Sequence, residues 1–144
     1  MIDLVFSVEI RRPLPAVFAF AGDYANDPSW RAGVLAMAYE RGNAPAVGVR
    51  TRETMRSMGS TAVTVAEIVE YSPARTAFRS LSGPVPCEGS REFVATADGT
   101  RFTYALTLRP GGFLRLLAPL LRWLFARNVR ADLQRLKAQL EAGA

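Results

Sequence analysis

The chain opens on strict alternation. Leu4, Phe6, Val8 and Ile10 fall on one side of an extended segment and Val5, Ser7 and Glu9 on the other. That pattern predicts a strand from Asp3 to Ile10 with one buried face. Pro13 and Pro15 stop it. From Pro15 to Asp23, Val17, Phe18, Phe20 and Ala21 take helical spacing, with Pro15 in the first turn where a missing N–H is harmless. Asn26-Asp27-Pro28-Ser29-Trp30 then sets a capping side chain before a proline at a first helical position, which predicts a second short helix.

Everything from Val34 to Arg109 reads as strands and turns. Between Val47 and Met55, one face carries Val47, Val49, Thr51, Glu53 and Met55, and the other Arg50, Arg52 and Arg56 follow on the same alternation. The arginine face belongs in solvent, so Glu53 points inward. Thr61–Tyr71 is a further strand, ended by Ser72-Pro73-Ala74, and Thr76–Ser82 another, broken by Gly83-Pro84. By alternation Glu67 and Tyr71 share a face. Asp98-Gly99 signals a two-residue hairpin loop, which would set Ala97 opposite Thr100, Ala95 opposite Phe102, Phe93 opposite Tyr104 and Arg91 opposite Leu106. Cross-strand partners share a face, and Phe102, Tyr104, Leu106 and Leu108 form a core face. Cys87, Gly89, Arg91, Phe93 and Ala95 are therefore expected inside, with Glu88, Ser90 and Glu92 in water.

From Phe113 the period changes. Leu114, Leu117, Leu121, Phe125, Val129, Leu133, Leu136 and Leu140 recur at three- and four-residue steps, the stripe of one long amphipathic helix bent or broken near Pro119. The expected class is α+β: a curved antiparallel sheet of about seven strands around a long C-terminal helix, with two short helices after the first strand.

Composition narrows the chemistry. The 144 residues are one domain's worth, with no repeat or linker, so residues 1–144 are expected to fold as a single unit. The lone Cys87 forbids an intramolecular disulfide, and the absence of histidine removes the Ser-His-Asp triad, His-based zinc sites and His-ligated haem. Net charge is +5, with Lys137 the single lysine among 18 cations. The arginines are scattered rather than clustered with stacking aromatics, so nucleic acid is not an expected partner. Asp3 and Glu9 interrupt any signal-peptide pattern at the start. The apolar stretch from Phe113 to Ala126 is cut by Arg115, Pro119 and Arg122 and is too short to span a bilayer. A cytoplasmic protein without metal or cofactor is expected.

Five segments carry a family resemblance: Val17-Phe18-Ala19-Phe20, Asn26-Asp27-Pro28-Ser29-Trp30-Arg31, Val69-Glu70-Tyr71-Ser72-Pro73-Ala74-Arg75, Asp98-Gly99-Thr100-Arg101 and Leu133-Gln134-Arg135-Leu136-Lys137. In their order and spacing the chain resembles the polyketide cyclase/dehydrase and lipid-transport group of the START/birch-allergen-like (SRPBCC) superfamily. The resemblance implies the helix-grip fold and a deep apolar cavity between helix and sheet. It implies no single reaction, because that superfamily joins transporters, sensors and cyclases.

The candidate site follows. Glu53 and Arg91, both inward, should pair with each other or through the polar end of a ligand, because an isolated buried charge is very costly. Tyr104, inward at mid-strand, either packs in the core or offers its hydroxyl to a ligand. Phe93, Phe102, Met55, Phe78, Leu121 and Phe125 are expected to supply apolar lining, and Trp30 to pack its helix over the sheet or stand at the cavity rim. Cys87 reads as an inert buried thiol. Leu116, Leu120, Trp123 and Leu124 lie off the main helical stripe. They either cover the sheet end or form a gate, a homodimer contact or a membrane patch, which Arg115, Arg122 and Arg127 would suit. Two functions remain. One is a carrier or sensor of a hydrophobic small molecule: a lipid, polyketide or isoprenoid-like compound. The other is a cyclase, aromatase or dehydratase with Glu53 as acid/base. The scarcity of proton shuttles favours binding.

Overall fold

The computed structural model describes residues 1–57 and 59–143. Strand β1 (Ile2–Ile10) leads into helix α1 (Leu14–Ala21), a 3-10 turn (Tyr24–Asn26) and the single-turn helix α2 (Asp27–Trp30). Six strands follow: β2 (Val34–Tyr39), β3 (Arg50–Ser57), β4 (Ser60–Tyr71), β5 (Arg75–Ser82), β6 (Cys87–Ala95) and β7 (Thr100–Leu108). Helix α3 (Phe113–Leu116) and the long α4 (Ala118–Ala142) close the chain. The sheet order is β1-β7-β6-β5-β4-β3-β2, antiparallel throughout. It curls into a half-barrel around α4, the helix-grip arrangement that the change of period predicts.

The order has a consequence for the site. Strands β1 and β2 are consecutive along the chain yet lie at opposite edges of the sheet. The α1–α2 segment between them must cross the concave side, which brings Asp27, Trp30 and Arg31 over the sheet interior. The core divides along α4. Val129, Leu133, Leu136 and Leu140 pack with Val8, Ile10, Val17, Phe93 and Phe102 at one end, and Leu121 packs with Ile2, Leu4 and Leu108 at the other. The helical break falls at Leu117, whose φ and ψ of −95° and 10° leave the α region, so that Pro119 sits in the first turn of α4.

Four local expectations are corrected. The β6–β7 loop holds four residues, Thr96–Gly99, not two: Ala95 pairs with Thr100, Phe93 with Phe102 and Arg91 with Tyr104. The Thr96 N–H donates to the Gly99 carbonyl, and Thr100 Oγ1 donates to the Arg12 carbonyl, holding the turn against the end of β1. Because the register shift is two residues, every side chain keeps its face. Strand β3 begins at Arg50 rather than Val47, since Gly48 takes φ 89°, outside the extended region, and Val47 is exposed. A register irregularity in β4 between Ile68 and Glu70 reverses the alternation. Glu67 therefore turns outward to Arg79, 3.6 Å away, while Tyr71 turns in, its hydroxyl donating to the Gly22 carbonyl at 3.1 Å. Ser90 is buried rather than in water: it lies on the inner strand β6 between Ala77 and Ala105, flanked by the longer Glu88 and Glu92.

Candidate functional site

A cavity of about 270 Å³ lies between the sheet and the first half of α4. Its apolar walls include Leu121 and Phe125 of α4, Met55 of β3 and Phe78 of β5. Phe78 has room because Gly89 faces it across the β5–β6 pair; a Cβ at Gly89 would stand 2.6 Å from the ring. Glu53, Arg91, Tyr104 and Trp30 also line the space. A neighbouring cleft shares Met55, Leu121, Phe125, Asn128 and Asp132 with the cavity, so the two adjoin alongside α4. Phe93 and Phe102, expected in the lining, are instead part of the packed end. Their rings stand 5.2 Å apart, and Phe102 meets Trp30 edge-on at 6.1 Å. The C-terminal half of α4 and α1 pack into that part of the half-barrel, in one buried cluster with Phe93 and Phe102.

Glu53 and Arg91 are not each other's partners. Arg91, 1% exposed, donates from Nη1 and Nη2 to the two carboxylate oxygens of Asp27 at 2.9 and 2.5 Å, and from Nη1 to the Ala21 carbonyl at 2.9 Å. Its guanidinium lies over the Tyr24 ring, 4.3 Å from the centroid. Glu53 is held by Arg31, whose Nη1 reaches Glu53 Oε2 at 2.8 Å and Asp27 Oδ2 at 3.0 Å. The result is a chain of alternating charge, Arg91–Asp27–Arg31–Glu53, built by α2 with its C-cap residue and the two strands β3 and β6. Burial works against the charge on Arg91, but the facing Asp27 carboxylate outweighs it and the guanidinium is held more firmly protonated than usual. Arg31 behaves likewise, with Tyr104, Glu53 and Asp27 overcoming the cost of burial.

Sequence reasoning missed Asp27 and Arg31 as site residues. Asp27 reads as a capping position, and its side chain instead turns into the core. Two signals were present: an inward arginine requires a carboxylate, and Asp27 and Arg31 stand four residues apart across one helical turn. Asp132 of α4 was missed as well. It lines the cavity, accepts from the Ala32 N–H at 3.1 Å and Arg135 Nη1 at 2.9 Å, and is pushed above the usual carboxylate range by burial.

The Tyr104 side chain is buried and lines the cavity, and its hydroxyl makes no hydrogen bond among the described residues. Burial raises its phenol, which stays protonated at neutral pH. Burial likewise pushes the Cys87 thiol up, away from the nucleophilic thiolate. No group of three or more Cys, Asp or Glu side chains among the described residues is placed to hold a metal ion. No helix among them is long and apolar enough to cross a membrane.

Known structures share this architecture. The Thermus thermophilus protein TTHA0849 superposes with a TM-score of 0.85 at 23% identity, covering 99% of both chains. A START superfamily protein from Mycobacterium smegmatis gives 0.75 at 16% identity, again over 99% of both chains. The Zhui aromatase/cyclase from Streptomyces gives 0.76 at 16% identity over 96% of this chain and 93% of its own. At these identities the likeness is one of fold. No curated protein matches by sequence. The family described as polyketide cyclase / dehydrase and lipid transport matches residues 1–141. With that match spanning nearly all of its sequence, and with the helix-grip fold to go with it, the chain belongs to the polyketide cyclase/dehydrase and lipid-transport family.

Proposed function

We propose that the protein binds a hydrophobic small molecule in the cavity beside α4 and acts as its carrier or sensor. The observation that carries this reading is an apolar space of about 270 Å³ with one polar wall, the Arg91–Asp27–Arg31–Glu53 chain and the Tyr104 hydroxyl. An engineered apolar cavity of about 150 Å³ takes up benzene, so this one suits a body of roughly two fused rings. The carboxylates that would serve as a general base are committed to guanidinium groups, which favours holding a ligand over moving a proton. Calorimetric titration with two-ring aromatic probes should show saturable binding with a negative heat-capacity change. Native mass spectrometry of gently purified protein should find a co-purified apolar mass. Absence of any probe binding by the folded protein would end the carrier reading. Catalysed ring closure of a poly-ketone, abolished in Glu53→Gln with affinity kept, would replace it with an enzymatic one.

The corner where α3 meets α4 supports exchange of that ligand at an anionic lipid surface. Phe113, Leu116, Leu120 and Trp123 are 72%, 78%, 51% and 57% exposed, an apolar cluster well beyond scattered surface residues. No acidic residue occurs between Gly99 and Ala131, whereas Arg115, Arg122, Arg127 and Arg130 lie among these side chains or just beyond them. Apolar side chains flanked by arginine fit an interface of negative headgroups. Leu114 and Leu121, on the inner side of the same corner, line the cavity. Vesicles containing phosphatidylserine should retain the protein at low salt, and Trp123→Ser with Leu116→Ser should release it. Retention unchanged by these substitutions, or concentration-dependent dimerisation through this face, would overturn the assignment.

A further inference from the structure

We infer that the ligand's polar end is a neutral hydrogen-bond acceptor, a carbonyl oxygen, received by the Tyr104 hydroxyl and the free edge of Arg31, and that the cavity rejects a carboxylate of the same size. This rests on the small-molecule reading above and deepens it. The argument is an accounting of charges and donors. Around the polar wall the ionised side chains cancel: Arg91, Arg31 and Arg135 stand against Asp27, Glu53 and Asp132. Each carboxylate is already committed. Asp27 receives two guanidinium groups, Glu53 receives Arg31, and Asp132 receives Arg135 and the Ala32 N–H. A ligand carboxylate would therefore enter without a spare positive charge, next to carboxylates at Glu53 and Asp132, and would lose its hydration in doing so.

What remains open is a set of donors. Arg31 uses only Nη1 towards protein acceptors among the described residues, leaving Nε and Nη2 unused. Tyr104 Oη also has no partner there, although both residues line the cavity and both are largely buried. Arg91 is not available, since both its terminal nitrogens are taken and Nε is buried without contact to the space. A carbonyl oxygen has two lone pairs and no charge, so it can accept from the phenol and the guanidinium together.

The test uses three molecules with one ring system: naphthalene, 2-acetonaphthone and 2-naphthoate, titrated calorimetrically into the wild type at neutral pH. The ketone should bind about tenfold tighter than naphthalene, as one to two net hydrogen bonds imply. The naphthoate should bind more weakly than naphthalene. Tyr104→Phe should remove roughly a threefold to tenfold share of the ketone's advantage over naphthalene. Glu53→Gln deletes one negative charge and should raise naphthoate affinity several-fold relative to naphthalene; this second variant decides the matter if Tyr104→Phe does not fold. Naphthoate binding tighter than the ketone in the wild type overturns the inference, as does a ketone no better than naphthalene or indifferent to Tyr104→Phe. If naphthalene itself fails to bind, the fault lies with the cavity reading, and the inference falls with it.

Discussion

Asp27 and Arg91 are 64 residues apart in sequence and form the most deeply buried ion pair among the described residues. Alternation and the shared face of β6 and β7 suffice to place Arg91 inside. Its partner is not legible by those rules, because the crossing segment that delivers Asp27 has no period to read. The pair's energetics follow from who is left alone when one member goes. Asp27→Ala strands the buried Arg91 guanidinium and leaves Arg31 with Glu53 alone, whereas Arg91→Leu leaves Asp27 still facing Arg31 at 3.0 Å. Breaking a buried pair costs about 3–5 kcal/mol when it leaves an uncompensated charge. Asp27→Ala should reach that range in chemical denaturation, Arg91→Leu should cost clearly less, and the double variant should be milder than Asp27→Ala alone. Equal losses for the two single variants would show that Arg31 does not share the load.

Among the elements, the instructive comparison is between two register errors of different parity. The β6–β7 loop is two residues longer than the Asp98-Gly99 signal implies, yet Arg91 and Tyr104 remain inward because strand faces repeat every two residues. The irregularity in β4 reverses the alternation, and with it the fates of Glu67 and Tyr71. Nothing in a run of alternating residues marks where one will be skipped, so the sheet interior is legible only up to such a point. The C-terminal end of α4 has a more local tie. Glu141 accepts from Lys137 Nζ at 2.8 Å and from the Arg11 N–H at 2.9 Å, fastening the helix to the end of β1. Lys137 and that N–H pull its carboxyl from 4.5 down to about 2. A folded value below the unfolded one gives stability that is complete above the unfolded value and lost as pH falls through the folded one. The stability difference between wild type and Glu141→Gln should be flat above about pH 5 and shrink towards zero near pH 2. The tie is at the surface, so the difference will be small; a gap that widened on acidification would refute the assignment.

On the scale of the molecule, one half-barrel holds two different interiors. At the α1 end the aromatic and aliphatic side chains of β6, β7 and the C-terminal half of α4 pack into one buried cluster, and at the α3 end a cavity separates the same sheet from the helix. The stripe on α4 is equally apolar in both halves, which is why Phe93 and Phe102 looked like cavity lining: hydrophobic period reports that a face is buried, not whether atoms meet there. Two alanines separate the cases. Ala66 of β4 is buried and faces the cavity, while Ala21 at the end of α1 is buried in the packed cluster. Enlarging a side chain in a filled core costs about 1–3 kcal/mol, because neighbours must leave their rotamers. The same enlargement into empty space meets no neighbours and gains contacts. Ala21→Leu should therefore lower stability by about that amount and still bind two-ring apolar probes. Ala66→Leu should melt no lower than wild type and lose much of its probe affinity, since the added methyls occupy the ligand's place. If Ala66→Leu proved as destabilising as Ala21→Leu, or bound the probes undiminished, the space beside α4 would not be the binding site.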